Sequence, residues 1–122
     1  MAEDLPDAAL VVDTVEEYET AVESQAGKGK PLLIQFTAEW CPRCPAFGDA
    51  IKALTAEYQF QWAVSDAAEP ELVEHFEIKQ LPAYVLVLPG VDPKVVQNAS
   101  PDMVRQAVST LCTPVFTVDA DF

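Results

Sequence analysis

Apolar residues along this chain fall into short segments, and their spacing changes between the period of a strand and the period of a helix. Strands are predicted at residues 10–12, 32–37, 60–64 and 84–88, with an antiparallel edge strand at residues 94–97. Helices are predicted after Thr14, after Cys44, over about residues 69–76 and after Ser100. Strands that alternate with helices indicate an α/β domain that contains βαβ units and has helices on both faces of its sheet.

Local end signals support these helices. Thr14 is a candidate N-cap, and Glu17 three residues later completes a capping box. Gly27 is expected to end that helix, and Ser100 followed by Pro101 is a strong start signal for the last one. The apolar stripes predicted to face the core are Val15, Tyr18, Val22 and Ala26, then Phe47, Ile51, Leu54 and Tyr58, and finally Met103, Ala107, Val108 and Leu111.

Composition limits the size and the partners of the protein. With 122 residues, half of them hydrophobic, the chain can bury one core. Its 20 acidic residues against 7 Lys and Arg give a net charge of −13, which argues against nucleic acid and anionic membranes as partners. Residues 1–7 are acidic, unlike a signal peptide, and no apolar run approaches a membrane span. Three cysteines in an unsecreted chain suggest a reducing compartment, so we expect a cytoplasmic location.

The segment Trp40-Cys41-Pro42-Arg43-Cys44 carries the candidate chemistry. A CxxC between a predicted strand and a predicted helix indicates a redox dithiol, since free backbone N–H groups and the helix dipole at a helix start favour a thiolate. A zinc site would need about four ligands, and the remaining candidates, Cys112 and His75, lie far apart in sequence. A purely structural disulfide would close too short a loop to constrain the unfolded chain much.

Two segments of the chain resemble the thioredoxin family. The stretch from Phe36 to Cys44 is similar to the family's F-x-A-x-W-C-x-x-C active-site segment, and Ile78 to Ala83 is similar to its I-x-x-[IVL]-P-T element. The order and separation of the two elements match, and the resemblance runs from about Leu10 to Leu111. It implies a thioredoxin fold, a central mixed β-sheet flanked by helices, in which Pro82 is cis and lies against the dithiol.

The resemblance also implies a function, that of a dithiol–disulfide oxidoreductase. Cys41 would be the exposed nucleophile and Cys44 the resolving thiol, the two forming a redox-active disulfide. Trp40 would shield the site and offer an apolar docking surface, and Pro82 would shape a groove where a target strand can pair. No cofactor and no metal are expected. The implied partners are protein disulfide substrates and an upstream reductase.

The chain departs from the family pattern around the dithiol. Pro42-Arg43 replaces the usual Gly-Pro, and the cation of Arg43 should favour a thiolate at Cys41 and make the couple more oxidising, although Glu39 opposes this. Gln35 stands where thioredoxins commonly bury a proton-relaying aspartate, and an amide cannot exchange protons near neutral pH. A glycine expected near Asn98 is missing. These departures favour a specialised oxidoreductase over a general one.

A second class of function stays open beside the enzyme. The chain could be a thioredoxin-fold light chain of a large assembly, such as axonemal outer-arm dynein in a cilium, with the dithiol as a docking or redox-sensing element. The sequence divides into a thioredoxin-like domain over residues 1–113 and an acidic, apolar C-terminal tail over residues 114–122. We expect this tail to contact a partner and not to pack back on the domain. Cys112 is expected to be a small buried apolar residue, and His75 a surface helix residue.

Overall fold

The computed structural model describes residues 9–115, and every structural statement below concerns that part of the chain. In chain order the elements are β1 (Leu10–Val11), α1 (Val15–Gly27), β2 (Leu32–Thr37), α2 (Cys44–Thr55), β3 (Tyr58–Gln59), β4 (Gln61–Asp66), α3 (Pro70–His75), β5 (Ala83–Val87), β6 (Lys94–Val96), α4 (Pro101–Leu111) and β7 (Thr113–Pro114). Five strands form a mixed sheet in the order β1-β4-β2-β5-β6, and β3 pairs with β7 separately.

The strand β2 lies at the centre of the five-stranded sheet. It runs parallel to β4 and antiparallel to β5, so that Leu33 faces Trp62 on one side and Leu86 on the other. Its first five residues are buried, as expected for a strand that is covered on both faces. The CxxC segment follows this strand directly, so the central strand of the sheet fixes the position of the site.

Helices cover both faces of the sheet, and each face has its own apolar core. The core beneath α2 and α4 contains Leu33, Phe47, Ile51, Leu54, Phe60, Trp62, Val64, Tyr84, Leu86, Ala99, Val104, Val108 and Cys112. The core beneath α1 and α3 contains Val12, Tyr18, Ala21, Leu32, Ile34, Phe36, Ala63, Leu72, Ile78, Ala83, Val85 and Val87. Neighbouring residues of β2 enter opposite cores, because side chains alternate along a strand. The predicted fold class is therefore confirmed.

The predicted helix starts are confirmed as well. The Thr14 side chain accepts a hydrogen bond from the Glu17 N–H, and the Glu17 side chain accepts one from the Thr14 N–H, completing the capping box. Ser100 caps α4 by accepting from the N–H of Met103. Helix α1 ends at Gly27, as predicted. Local capping chemistry thus sets the positions of α1 and α4 in the sequence.

Three of the predicted apolar stripes need correction. In α4 the buried residues are Val104 and Val108, whereas Met103 and Leu111 are exposed. The reason is that residues four positions apart, here Val104 and Val108, lie on the face of the helix that packs on the sheet. The residues next to them in sequence lie at the border of that face and reach solvent. In α1 the fully buried residues are Tyr18, Ala21 and Gln25, whereas Val15 and Val22 pack against the core from its edge and Ala26 is exposed. Tyr58 falls outside α2, which ends at Thr55, and belongs to β3.

The chain after α4 turns back onto the domain. Thr113 and Pro114 pair with Gln59 and Tyr58 in antiparallel register, and the N–H of Val115 donates to the carbonyl of Glu57 at 2.8 Å. The proposed boundary between residues 113 and 114 falls inside β7. Residues 116–122 lie outside the described part of the chain, so the division into domain and tail stays a prediction. Among the helices of residues 9–115, none is long and apolar enough to cross a membrane.

Candidate redox site

The two cysteines of the CxxC meet at the start of α2. Cys44 is the first residue of this helix, and Cys41 precedes it by three positions. They form a disulfide with a Cα–Cα distance of 5.5 Å, and the N–H of Cys44 donates to the carbonyl of Cys41 at 3.3 Å. Both sulfurs therefore lie where backbone N–H groups of the first helical turn have no partner within the helix. This is the placement that the sequence predicted.

Burial of the cysteines differs from the expectation. Cys41 is 6 % exposed and Cys44 is 1 % exposed, so the predicted exposed nucleophile is largely covered in the disulfide form. The cover is a small apolar cluster in which Ala67 and Leu81 pack against the two cysteines and Ala38. Cys41 remains the more accessible of the two sulfur-bearing residues. Trp40 is 70 % exposed and is free to contact another molecule.

The loop before β5 lies against the disulfide. The Leu81–Pro82 peptide bond is cis, as the family resemblance implied, and Pro82 is fully buried. The carbonyl of Pro82 accepts from the N–H of Ala99 at 2.8 Å. Gln97 holds the preceding residues: its Oε1 accepts from the N–H of Lys79 at 2.6 Å and from the N–H of Gln80 at 3.1 Å. Pro82 and the residues shortly before it are thereby tied to the segment between β6 and α4.

Arg43 joins the CxxC segment to this loop. Its Nη2 donates to the carbonyl oxygen of Leu81 at 3.1 Å and also to Oδ1 of Asn98. The sequence predicted a cation beside Cys41. The structure in addition directs the guanidinium across the site, to two acceptors that lie 38 and 55 positions further along the chain.

Asn98 is a residue of the site that sequence reasoning did not assign. Its φ is +51°, in the left-handed region that favours glycine and that asparagine tolerates better than most residues. The missing glycine is thus replaced by a residue that keeps the backbone conformation and adds a side-chain oxygen. The available signal was an asparagine at a position where a glycine was expected, although nothing local pointed to Arg43 as its partner.

Gln35 lies beneath the first turns of α2. It is 4 % exposed, and its Oε1 accepts from the indole N–H of Trp62 at 3.2 Å. A methyl group on Gly48, one turn after Cys44, would come within 3.1 Å of the Gln35 amide nitrogen. The amide is therefore enclosed between β4 and α2. It supplies hydrogen-bonding groups behind the dithiol but no titratable proton.

Comparison with known proteins decides the family. The thioredoxin family model matches residues 9–110 of this chain. The chain belongs to the thioredoxin family. It is 28% identical over 98 residues to thioredoxin of Mycolicibacterium smegmatis, covering 76% of this chain and 85% of that protein.

A plant relative and a solved structure extend this finding. The chain is 31% identical over 64 residues to thioredoxin X of Arabidopsis thaliana, a match that covers 50% of this chain and 35% of that protein, so it spans about a third of that relative. The oxidised crystal structure of thioredoxin O1 from Arabidopsis thaliana superposes with a TM-score of 0.72 at 19% identity, covering 85% of this chain and 97% of the other. At that identity the superposition shows the fold.

Membership of the thioredoxin family identifies the Cys41–Cys44 pair as a redox-active disulfide and the chain as a thioredoxin-like oxidoreductase. The relatives named above are all thioredoxins. They give no support to an axonemal dynein light chain or to a ciliary location.

The remaining candidate residues of this thioredoxin-family chain lie away from the dithiol. Cys112 is buried in the core beneath α2 and α4, as predicted, and burial raises the pKa of its thiol to about 11. His75 is exposed near the end of α3 and packs against the rings of Tyr18 and Phe76. Within residues 9–115, no group of three or more His, Cys, Asp and Glu side chains is placed to hold a metal ion.

Proposed function

We propose that this protein exchanges disulfides with particular protein targets, using Cys41 as the nucleophile and Cys44 as the resolving thiol. The observation that supports the proposal best is the Cys41–Cys44 disulfide at the start of α2, packed against Leu81 of the loop that contains cis-Pro82. In this arrangement Leu81 borders the sulfurs, and Pro82 lies buried in the same loop. Trp40, 70 % exposed, offers an apolar contact to the target.

The exchange proceeds in two balanced steps. The thiolate of Cys41 attacks one sulfur of a target disulfide, an S–S bond forms between enzyme and target, and the target's other sulfur leaves as a thiolate that takes up a proton. The thiolate of Cys44 then attacks Cys41, which restores the Cys41–Cys44 disulfide and releases the second target thiol. Two electrons pass from the protein to the target, and an upstream dithiol reductase must return them.

The surroundings of the dithiol stabilise the Cys41 thiolate that carries out the first step. The N-terminus of α2 and the guanidinium of Arg43 both stabilise negative charge at Cys41. The two hydrogen bonds of Arg43, however, turn its positive charge toward the loop that contains Leu81. A stabilised thiolate means a stabilised reduced form, hence a more oxidising couple. Behind the dithiol, Gln35 cannot relay a proton to Cys44, which should slow the second step.

The charge of the chain restricts its targets. A net charge of −13 favours encounter with basic protein surfaces over acidic ones, nucleic acid or anionic lipid.

A dithiol that is recycled by an upstream reductase requires a reducing compartment, and the cytoplasm is the location that we propose.

Trapping of mixed disulfides tests the assignment of the two cysteines. In Cys44→Ser the second step is removed, so targets should accumulate as mixed disulfides through Cys41, to be seen as adducts on non-reducing gels that disappear on reduction. Cys41→Ser is the matched control and should trap little or nothing. Adducts that persist in Cys44→Ser combined with Cys41→Ala would place the reactive thiol at Cys112 and overturn the assignment.

A further inference from the structure

We propose that Arg43 closes the target-binding groove and selects targets with a carboxylate near the reacting cysteine. The inference rests on the proposed function and names a specificity-determining residue for it. It starts from the two hydrogen bonds that Nη2 of Arg43 donates, to the carbonyl oxygen of Leu81 and to Oδ1 of Asn98.

The carbonyl of Leu81 is the acceptor that a target segment would need. Leu81 lies just before β5, which starts at Ala83, so its carbonyl is not part of the ladder between β2 and β5. Its side chain packs against the disulfide. An extended segment that brings its sulfur to Cys41 would pair along this backbone, as added strands do at exposed sheet edges. Arg43 already occupies that acceptor.

Asn98 is the second anchor of the guanidinium. With its oxygen on one side and the Leu81 carbonyl on the other, the Arg43 side chain bridges the gap between the start of α2 and the segment before α4. Leu81, whose carbonyl accepts from Arg43, is also one of the residues that cover Cys41, which is 6 % exposed. A carbonyl oxygen can accept two hydrogen bonds, so what a target must displace before it pairs with Leu81 is the guanidinium that spans this gap.

The displaced guanidinium is exposed and exchanges its two acceptors for water unless the target supplies others. A carboxylate is the best replacement because it can accept two parallel hydrogen bonds from arginine. The rest of the chain is strongly acidic and repels acidic surfaces. The favoured target is accordingly a neutral or basic segment that carries one Asp or Glu next to its reacting cysteine.

The experiment starts from the oxidised protein, the state that the structure describes. A peptide dithiol reduces Cys41–Cys44 and becomes a disulfide itself; dithiothreitol does the same but has no backbone to pair with Leu81. The ratio of the two second-order rate constants isolates the groove from the reactivity of the disulfide. Asn98→Gly keeps the positive φ and removes the second anchor, whereas Asn98→Asp replaces it with a charged one.

We expect the ratio to rise about fivefold in Asn98→Gly and to fall about fivefold in Asn98→Asp, the change that about one exposed hydrogen bond to a charged group can produce. A loss of local order alone would move both variants in the same direction. Equal ratios in all three proteins, or a common direction, would overturn the proposal.

A pair of peptides tests the carboxylate. The peptides are identical except for Asp or Asn beside the reacting cysteine, and the preference for Asp is compared between the wild type and Arg43→Gln, so that the effect of Asp on the peptide thiol itself cancels. The wild type should prefer Asp about fivefold more than the variant does. An unchanged preference would refute the selection. A wild type that dithiothreitol reduces but no peptide reduces would instead contradict the proposed function.

Discussion

Replacing Gln35 by Asp should convert a slow second step into a fast one. The side chain is 4 % exposed, beneath the first turns of α2, and touches the position of Gly48, one turn after Cys44. A carboxyl group there would be desolvated, which raises its pKa toward the range in which it can accept the proton of Cys44. Proton transfer by a positioned group contributes about 10²–10⁴-fold. Because Asp is one methylene shorter than Gln, we expect the lower end, about 10²-fold in turnover of insulin.

The same substitution should destabilise the protein in a pH-dependent way. Asp reaches less far than Gln, so the indole N–H of Trp62, which Gln35 now accepts at 3.2 Å, loses its partner at a cost of about 1–3 kcal/mol. The raised pKa of the buried carboxyl group lowers the free energy of unfolding further, and this second loss depends on pH. Below about pH 4 the carboxyl is protonated in both states; as pH rises, the unfolded state ionises first, and stability falls until the pH passes the folded-state pKa.

Gln35→Asn is the matched control, since it shortens the side chain equally and cannot titrate. Turnover is measured by insulin reduction across pH 6 to about 9, and stability by urea unfolding at several pH values. Gln35→Asp should reduce insulin faster than both the wild type and Gln35→Asn, and of the three proteins only Gln35→Asp should lose stability through this position as the pH rises. A wild-type turnover equal to that of a conventional thioredoxin, or equal rates for Asp and Asn, would refute the argument.

Two further predictions concern charge and burial. The Cys41–Cys44 couple should have a reduction potential above about −270 mV, the value of ordinary thioredoxin, and Arg43→Gln should lower that potential. Equilibration against glutathione buffers, followed by thiol labelling, measures both potentials. A wild-type potential well below that of ordinary thioredoxin would contradict the reasoning. Burial raises the pKa of the Cys112 thiol from 9.0 to about 11, so stability should fall between those pH values by about 3 kcal/mol; Cys112→Ala should remove that share of the alkaline loss in urea titrations.

Much of the fold could be predicted because its signals are local. The capping box of α1, the apolar run of β2 and the CxxC each involve residues within a few positions of one another. The packing of α4 was predicted less well, since Met103 and Val104 are both apolar neighbours and only the sheet beneath the helix decides which one is buried. Pairing of β3 with β7 joins Tyr58 with Pro114 and Gln59 with Thr113, which are far apart in sequence, and no periodicity can reveal so short a match.

The same distinction between local signals and distant contacts applies to the site. Cys41, Cys44 and cis-Pro82 were found from motifs, whereas the bridge from Arg43 to Leu81 and Asn98 depends on distances that only the folded chain defines. The expectation of an exposed Cys41 was wrong for a related reason: the residues that cover it, Leu81 among them, come from another part of the chain.

The two main departures from the family pattern act on different steps of one exchange. Arg43 lies at the entrance, where its hydrogen bonds to Leu81 and Asn98 oppose the approach of a target. Gln35 lies behind the dithiol, where its contacts are with Trp62 and Gly48. The two sets of contacts have no partner in common. A slow entry selects which targets react, and a slow release prolongs the mixed disulfide that forms. Together they favour persistent engagement of few targets over rapid reduction of many.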